Sequence, residues 1–367
     1  MRDALLLFHR WVALVTAIVI LVVATTGSLL VFEGAIDRGL NPQLWRVTLS
    51  SQPLSLDTLA AHAHAAASAE PLTGLILSAA PDRAYLAQAG GMQVFVDPFS
   101  GKVLGRRAVS AFNTSLARRL HVMHTSLLVK GYGSSVVAIV TLASLLLTIT
   151  GIVLWWQDKL WRVRWTASWK RVVFDLHHAL GIIASLVLFI ITASGMAIHY
   201  DAAGRAIARL DAIPRARPPA QPAAGGTTTT ISLDSLAHVA RAALPGASIA
   251  FLSVPAKATQ PFVVAMRFPE DRTPGGRSRV YVDRFRGTLL ATEGTRGAQL
   301  GTAINNRMRS LHTGDVLGKP TEAIWFLAAL VLASQSITGL LMWWNGRGAR
   351  AALARKHTPI RAAQTPR

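Results

Sequence analysis

Cysteine is absent from this 367-residue chain. That excludes disulfides, iron–sulfur ligation, zinc–thiolate sites and covalent c-type haem attachment. Histidine, present eleven times, is left as the main candidate metal ligand. Acidic residues are scarce: 18 Asp and Glu stand against 38 Lys and Arg, and they are too scattered to pair as catalytic carboxylates. No G-x-G-x-x-G, P-loop, H-E-x-x-H or G-x-S-x-G motif occurs. If electrons cross this protein, no recognisable domain of the chain binds NAD(P)H or flavin to supply them. Charged residues make up 15% of the chain and hydrophobic ones 51%, with a positive mean hydropathy of +0.37. That balance is unusual for a soluble protein.

The apolar residues are clustered. Residues 5–32, 134–156, 178–198 and 324–344 form four long apolar runs. A bilayer core of about 30 Å needs about 20 helical residues, so four transmembrane helices are expected. Arg2 before the first run invites a signal-peptide reading, but a signal h-region spans only about 7–15 residues. The formal charge of +20 suggests nucleic acid at first sight. The positive-inside rule accounts for it without that partner. The link "QDKLWRVRWTASWKR" at 157–171 holds five Lys/Arg and one Asp, and the tail after Trp344 holds six Lys/Arg and no acid. Both are expected in the cytoplasm, with the N-terminus, and segments 33–133 and 199–323 on the opposite side. Trp155, Trp156, Trp161, Trp343 and Trp344 fit an aromatic belt at the cytoplasmic interface.

The chain repeats itself. "TITGIVLWW" at 148–156 returns as "SITGLLMWW" at 336–344, with five of nine positions identical. "SLDTLA" (55–60) returns as "SLDSLA" (232–237), and "VFVDPFSGKVL" (94–104) as "VYVDRFRGTLL" (280–290). "FHRWVAL" (8–14) matches "LHHALGI" (176–182), "ATTGSLL" (24–30) matches "TASGMAI" (192–198), and "LHVMHTSLL" (120–128) matches "MRSLHTGDV" (308–316). The order span, external domain, span recurs, so a parallel duplication is expected, with a functional site at the repeat interface. Each external segment reads as a small α+β unit. In the first, a helix over 56–69 opens at Ser55, a good N-cap, and strands follow near 72–79, 84–89 and 93–97, then the turn "DPFSG" and a further strand. In the second, a helix over 233–244 precedes strands near 248–254, 261–268 and 279–283. At about 60 residues each, such units are marginal alone and are expected to pack on each other or on the membrane helices.

Four histidines fall at equivalent places: His9 with His177, 168 residues apart, and His124 with His312, 188 apart. One pair is expected near each membrane face. A lone interfacial histidine is most simply a satisfied structural residue. A symmetric pair approaching a pseudo-two-fold axis has the geometry of two axial ligands on one haem, which neutral imidazole commonly ligates. His9 and Gly27 are 18 residues apart, as are His177 and Gly195. Five helical turns therefore put each pair on one face, where glycine permits close approach of a macrocycle or simply of another helix. Gly151 and Gly339 carry the same two readings. His178 adjoins His177 but points about 100° away, so only one of them is expected to face a given haem. His121, one turn before His124, has Arg309 as its counterpart, a candidate partner for a haem propionate. His199 is an alternative external ligand. His62, His64, His238 and His357 read as solvated.

Together, "FHRWVAL", "LHVMHTSLL…TITGIVLWW", "DLHHALG" and "LHTGDVLG…SITGLLMWW" resemble the PepSY-associated transmembrane proteins of bacteria, many of them called iron-regulated membrane proteins. The external units resemble PepSY domains, including the V-x-V-D-x-x-x-G strand and turn. The resemblance covers about residues 5–345. It implies a mainly α membrane protein with four transmembrane helices in two parallel repeats, each with a periplasmic α+β PepSY-like domain. The implied layout is transmembrane helix 1 (1–33), a first PepSY-like domain (50–110), a periplasmic helix and transmembrane helix 2 (113–157), and a cytoplasmic basic loop (158–173). Transmembrane helix 3 (174–200), a Pro/Gly/Thr linker (213–230), a second PepSY-like domain (231–295), a periplasmic helix and transmembrane helix 4 (300–345) and a basic tail (346–367) complete it. It also implies inner-membrane electron transfer, with members, a ferrioxamine reductase among them, implicated in reducing ferric siderophores in the periplasm. Some relatives carry a fused flavin reductase domain, which this chain lacks. The second external unit departs from the first by a longer hairpin, "RFPEDRTPGGRSR".

The expected protein is thus a di-haem b reductase. His9 and His177 would hold a cytoplasmic-side haem, and His124 and His312 an external one, with His178, His121 and His199 as alternatives. The donor would be quinol or a separate cytoplasmic reductase, and the product Fe(II) released from a ferric siderophore. Two rivals stand beside it: quinone-linked transfer to another periplasmic acceptor, and a non-redox PepSY protein that restrains a protease or acts as a chaperone. A transporter is disfavoured.

Overall fold

A computed structural model of the protein describes residues 1–50, 52–68, 70–109, 115–213, 218–222, 229–255, 257–273 and 275–356, with the backbone alone over 348–356. Much of the expected linker 213–230, and residues 357–367 of the basic tail with His357, lie outside the described residues. The chain divides into two compact units. A helical unit comprises Met1–Ser28, Met123–Met196 and Ile324–Arg367, and a sheet unit comprises Leu29–Val122 and Ala197–Ala323. In chain order the elements are α1 (Arg2–Leu30), α2 (Glu33–Leu40), α3 (Pro42–Trp45), α4 (Leu56–Ala66), β1 (Leu72–Ile76), β2 (Tyr85–Ala89), β3 (Met92–Val96), β4 (Val103–Ala108), α5 (Leu116–Ser126) and α6 (Gly133–Asp158). Then follow α7 (Trp169–His199), α8 (Asp201–Ala208), α9 (Leu233–Ala243), β5 (Ser248–Ser253), β6 (Phe262–Arg267), β7 (Ser278–Val282), β8 (Leu289–Glu293), α10 (Leu300–Thr313) and α11 (Lys319–Lys356).

Four helices, α1, α6, α7 and α11, are long and apolar enough to cross a membrane. Large apolar side chains such as Val15, Ile18, Ile183 and Leu186 point outward and are exposed, as a lipid-facing surface requires. Small hydroxyl residues turn inward and bond their own helix: Ser144 donates to the Val140 carbonyl (2.8 Å) and Thr192 to the Leu188 carbonyl (2.8 Å). This satisfies the hydroxyl without a partner from outside the helix. The helices run past the apolar segments read from sequence. Helix α7 begins at Trp169, not near residue 178, because its charged first turns are neutralised locally. Asp175, fully buried, accepts from Arg164 Nε (3.0 Å), Nη2 (3.1 Å) and backbone N–H (3.2 Å), and Arg171 Nε stands 2.9 Å from it. Part of the basic link is therefore structural. Helix α6 ends at Lys159, whose left-handed φ of 44° turns the chain while its N–H bonds the Trp155 carbonyl. Trp155 in turn donates Nε1–H to the Leu160 carbonyl (2.9 Å) and packs edge-on against Trp161.

The sheet unit holds one eight-stranded antiparallel sheet in the order β4-β3-β2-β1-β5-β6-β7-β8. The two four-stranded segments, expected to pack on each other or on the membrane helices, are joined edge to edge where β1 pairs β5, with Leu75 opposite Leu252. Gly74 makes that seam possible, since a side chain there would meet the Phe251 ring. Helices α4 and α9 cover one face over a shared core that includes Leu59, Leu75, Leu236, Leu252 and Met266. Their N-termini are tied reciprocally. Asp234 accepts the N–H groups of Leu56 (2.9 Å) and Asp57 (3.2 Å), and Asp57 accepts those of Leu233 (2.9 Å) and Asp234 (3.2 Å). Ser55 and Ser232 cap the same two helices through the N–H groups of Thr58 and Ser235. Each carboxylate thus answers the positive end of the other's helix. On the other face of the first segment, Asp37 of α2, a helix not foreseen from sequence, pairs with Arg107 at 2.8 Å.

The two V-x-V-D turns are closed by their aspartates. Asp97 accepts from Phe99 N–H (2.9 Å) and Ser100 Oγ (2.7 Å). Asp283, 1% exposed, accepts from Phe285 N–H (2.8 Å), Arg286 N–H (3.0 Å) and Gln221 Nε2 (3.0 Å). Burial alone would raise its pKa, but the donors outweigh burial and lower it to about 2.

Two outcomes follow for the full-length protein in detergent. Truncating Asp57 or Asp234 to Ala leaves two helix N–H groups unpaired, and each change should destabilise the sheet unit by about 1 kcal/mol, read as a lower thermal midpoint. Asp283 is depressed in the folded state, so its contribution is complete above the ordinary value of 3.8 and is lost as pH falls toward about 2. Asp283→Asn should flatten the loss of stability across that window; an unchanged acid profile would refute this assignment.

Candidate functional site

The phrase that recurs in α6 and α11 meets the histidines of α1 and α7. His9 Nδ1 lies 2.8 Å from Thr150 Oγ1, and His177 Nδ1 lies 2.8 Å from Thr338 Oγ1. Both threonines use their own hydrogen within the helix: Thr150 donates to the Leu146 carbonyl (2.8 Å) and Thr338 to the Ser334 carbonyl (2.7 Å). Each hydroxyl is then left as an acceptor, so each histidine donates Nδ1–H to it. That assigns both imidazoles one neutral tautomer with an unprotonated Nε2, the form able to ligate a metal. An outer hydrogen bond on Nδ1 is also what orients a ligating histidine.

The glycines that follow these threonines stand beside the rings. A methyl group at Gly151 would come 3.5 Å from His9 Cε1, and one at Gly339 would come 3.6 Å from His177 Cε1. Alanine would fit, and a larger side chain would crowd the imidazole. The glycines therefore make room for the histidine itself, a reading in addition to helix packing and close approach of a macrocycle.

His9, His177 and His178 line one cavity of about 410 Å³ within the helical unit, a size typical of a cofactor pocket. Its wall includes Ile20, Leu188, Gly181 and Trp343. Both His177 and His178, of which one was expected to face a given haem, reach the cavity wall. Their rings are 6.0 Å apart. His178 is held differently, donating Nδ1–H to the Phe174 carbonyl of its own helix (2.9 Å) and stacking on Phe174 at 4.1 Å. Gln335, another lining residue, has a buried Nε2 with no acceptor among the described residues.

His124 occupies a second place in the helical unit. Its Nδ1–H donates to the Val23 carbonyl (2.9 Å). Gly27, read from sequence as facing a macrocycle or a helix, faces this ring: a methyl there would fall 2.8 Å from His124 Cε1. His312 belongs to the sheet unit, half-buried in the last turn of α10, with Arg309 exposed one turn before it. His121 stands 3.8 Å from Glu33. His199 is exposed and lies edge-on to Tyr200 at 4.8 Å. His62 and His64 bond the carbonyls of Gly101 and Glu70, and His238 is exposed.

Thr150, Thr338 and Gln335 were not singled out from sequence. The threonines had a signal, the Thr-Gly pair shared by both phrases, which had been read through its glycine alone. Gln335 has Leu147 at the matching place in the earlier phrase, so comparing the halves conceals it.

Four helices of membrane-spanning length around a histidine-lined cavity, with an antiparallel sheet unit, define a membrane protein. The chain belongs to the PepSY-associated TM region family, which it matches over residues 6–345. A search of curated proteins finds no match.

The fit at Gly27 is open to test. Gly27→Ala should push His124 off the Val23 carbonyl and cost about 1–3 kcal/mol, measured as a lower unfolding midpoint in detergent. Adding His124→Ala should restore part of that loss, because the smaller residue frees the space. No recovery would show that the clash lies elsewhere.

Proposed function

We propose that this protein is a di-haem b electron-transfer protein of the bacterial inner membrane that reduces Fe(III) held by a siderophore and releases Fe(II). The observation that carries the reading is the pair His9 and His177: two neutral imidazoles on one cavity, each with Nδ1–H fixed by a threonine and Nε2 left as acceptor. The donor set fits haem. His9 and His177 would hold its iron through imidazole nitrogens, and glycines beside them keep the wall open. Haem b held by these residues would supply reversible one-electron Fe(III)/Fe(II) chemistry. Thr150 and Thr338 keep the two rings in the ligating tautomer. Apolar side chains such as Ile20 and Leu188 keep water from the cavity wall.

On this reading His124 and His312 would serve a second haem, and Arg309 would offer a cation for a propionate. The two sequence halves form parallel repeats. The termini and the link 157–171 are cytoplasmic, by their Lys/Arg content, and the sheet unit is periplasmic, where the siderophore docks. The electron originates in quinol or a separate cytoplasmic reductase. Its arrival softens the hard ferric ion, which weakens the hold of oxygen ligands.

The deciding measurement is a visible spectrum of the purified protein, oxidised and dithionite-reduced, with pyridine haemochrome quantitation. About two b-type haems per chain are expected, with one lost in His9→Ala or His177→Ala and the other in His124→Ala or His312→Ala. A folded, colourless protein from haem-replete cells would defeat the reading and favour the non-redox PepSY role. Two haems with no reduction of ferric siderophore would favour another periplasmic acceptor.

A further inference from the structure

We infer that Arg10 binds a carboxylate of the molecule that fills the histidine-lined cavity, so that the cavity selects an amphiphile with free carboxylates over a neutral one of the same shape. The inference rests on the haem reading, in which those carboxylates are the propionates.

Three cationic side chains line the cavity, Arg2, Arg10 and Arg347, against one carboxylate, Asp158. The formal sum is three less one, or +2. Two of the cations are engaged. Arg2 Nη2 donates to Asp158 at 2.8 Å, and the Arg347 guanidinium lies 4.7 Å from the Trp343 ring. Arg10 is different. It follows His9 directly and is half-buried, its Nε is buried with no acceptor among the described residues, and its ring contact with Trp11 is distant at 6.0 Å. The buried carboxylate Asp175 is already held by Arg164 and Arg171. A guanidinium inside a lipid-facing helix, at the wall of an apolar cavity, needs a counter-charge. Two carboxylates on the occupant would match the sum of +2. The place equivalent to Arg10 in the second half is His178, whose Nδ1–H is already given to Phe174, so Arg10 has no twin to share the task.

The test uses full-length protein prepared without haem in detergent, carrying His124→Ala so that the cavity is the site titrated. It is titrated with haem b and with haem b dimethyl ester, whose carboxylates are blocked, and binding is followed by difference absorbance. The Arg10 protein should bind the free acid about 30-fold more tightly than the ester. Arg10→Met should weaken the free acid by a similar factor and leave the ester unchanged, and Arg10→Lys should recover part of the loss. Equal affinity for acid and ester, unaltered by Arg10→Met, would overturn the inference and leave a lipid phosphate as the partner of Arg10. Failure to bind either compound would overturn the haem reading itself. Should Arg10→Met not fold, the acid-to-ester ratio of the Arg10 protein still decides.

Discussion

Inside a lipid-facing helix a polar side chain has few partners, and the threonine hydroxyl uses the nearest one, the carbonyl one turn back. That constraint governs the candidate site. Once Thr150 and Thr338 have donated to Leu146 and Ser334, each can only accept. His9 and His177 must then donate through Nδ1, and the free lone pair of each is fixed at Nε2. A serine or threonine that is unremarkable as helix packing becomes the element that sets a tautomer one helix away. The carbonyl of Val23 plays the same part for His124 with a backbone acceptor. Three imidazoles on three helices thus donate Nδ1–H to a local acceptor.

The sheet unit solves a different problem with similar economy. Segments of about 60 residues bury too little apolar surface to stand alone. Pairing β1 with β5 gives them one continuous sheet and one core under α4 and α9. The exchange of Asp57 and Asp234 joins the halves where apolar contact alone would leave register free. Four N–H groups at two helix starts, which would otherwise need water, are satisfied by the opposite half. The two carboxylates are near one another and tolerate it because each faces a helix N-terminus. For Asp234 the backbone N–H bonds prevail over burial, and its pKa is lowered.

Sequence made some of this legible and hid the rest for identifiable reasons. The membrane helices follow from long apolar runs, and the two N-caps from Ser55 and Ser232. The boundaries of α7 did not, because hydropathy treats Lys170, Arg171 and Asp175 as an end, whereas Asp175 is neutralised by Arg164 from the preceding link. Helix α2 was missed because its eight residues carry three charges and little apolar periodicity; it is anchored by Asp37 to Arg107, 70 positions away. The histidines at 9 and 177 were found by symmetry. Their threonines were not, because a Thr-Gly pair in an apolar run looks like small-residue packing until its neighbour is known. Gly27 was read as admitting another helix or a macrocycle; the neighbour it admits is His124 of α5, which a period of 18 could not name, since it identifies a face but not what lies against it.

The correspondence between the halves also separates what the cavity must have from what it can vary. His, Thr and Gly recur at 9, 150 and 151 and at 177, 338 and 339, and those are the residues that hold and orient the imidazoles. Departures elsewhere on the same wall include Arg10 against His178, Leu147 against Gln335 and Asp158 against Gly346. Two of these residues, Arg10 and Gln335, carry a buried donor with no acceptor among the described residues. A site built only for its symmetry would satisfy both sides alike. Unmatched donors on opposite halves instead mean that the cavity has two chemically different edges.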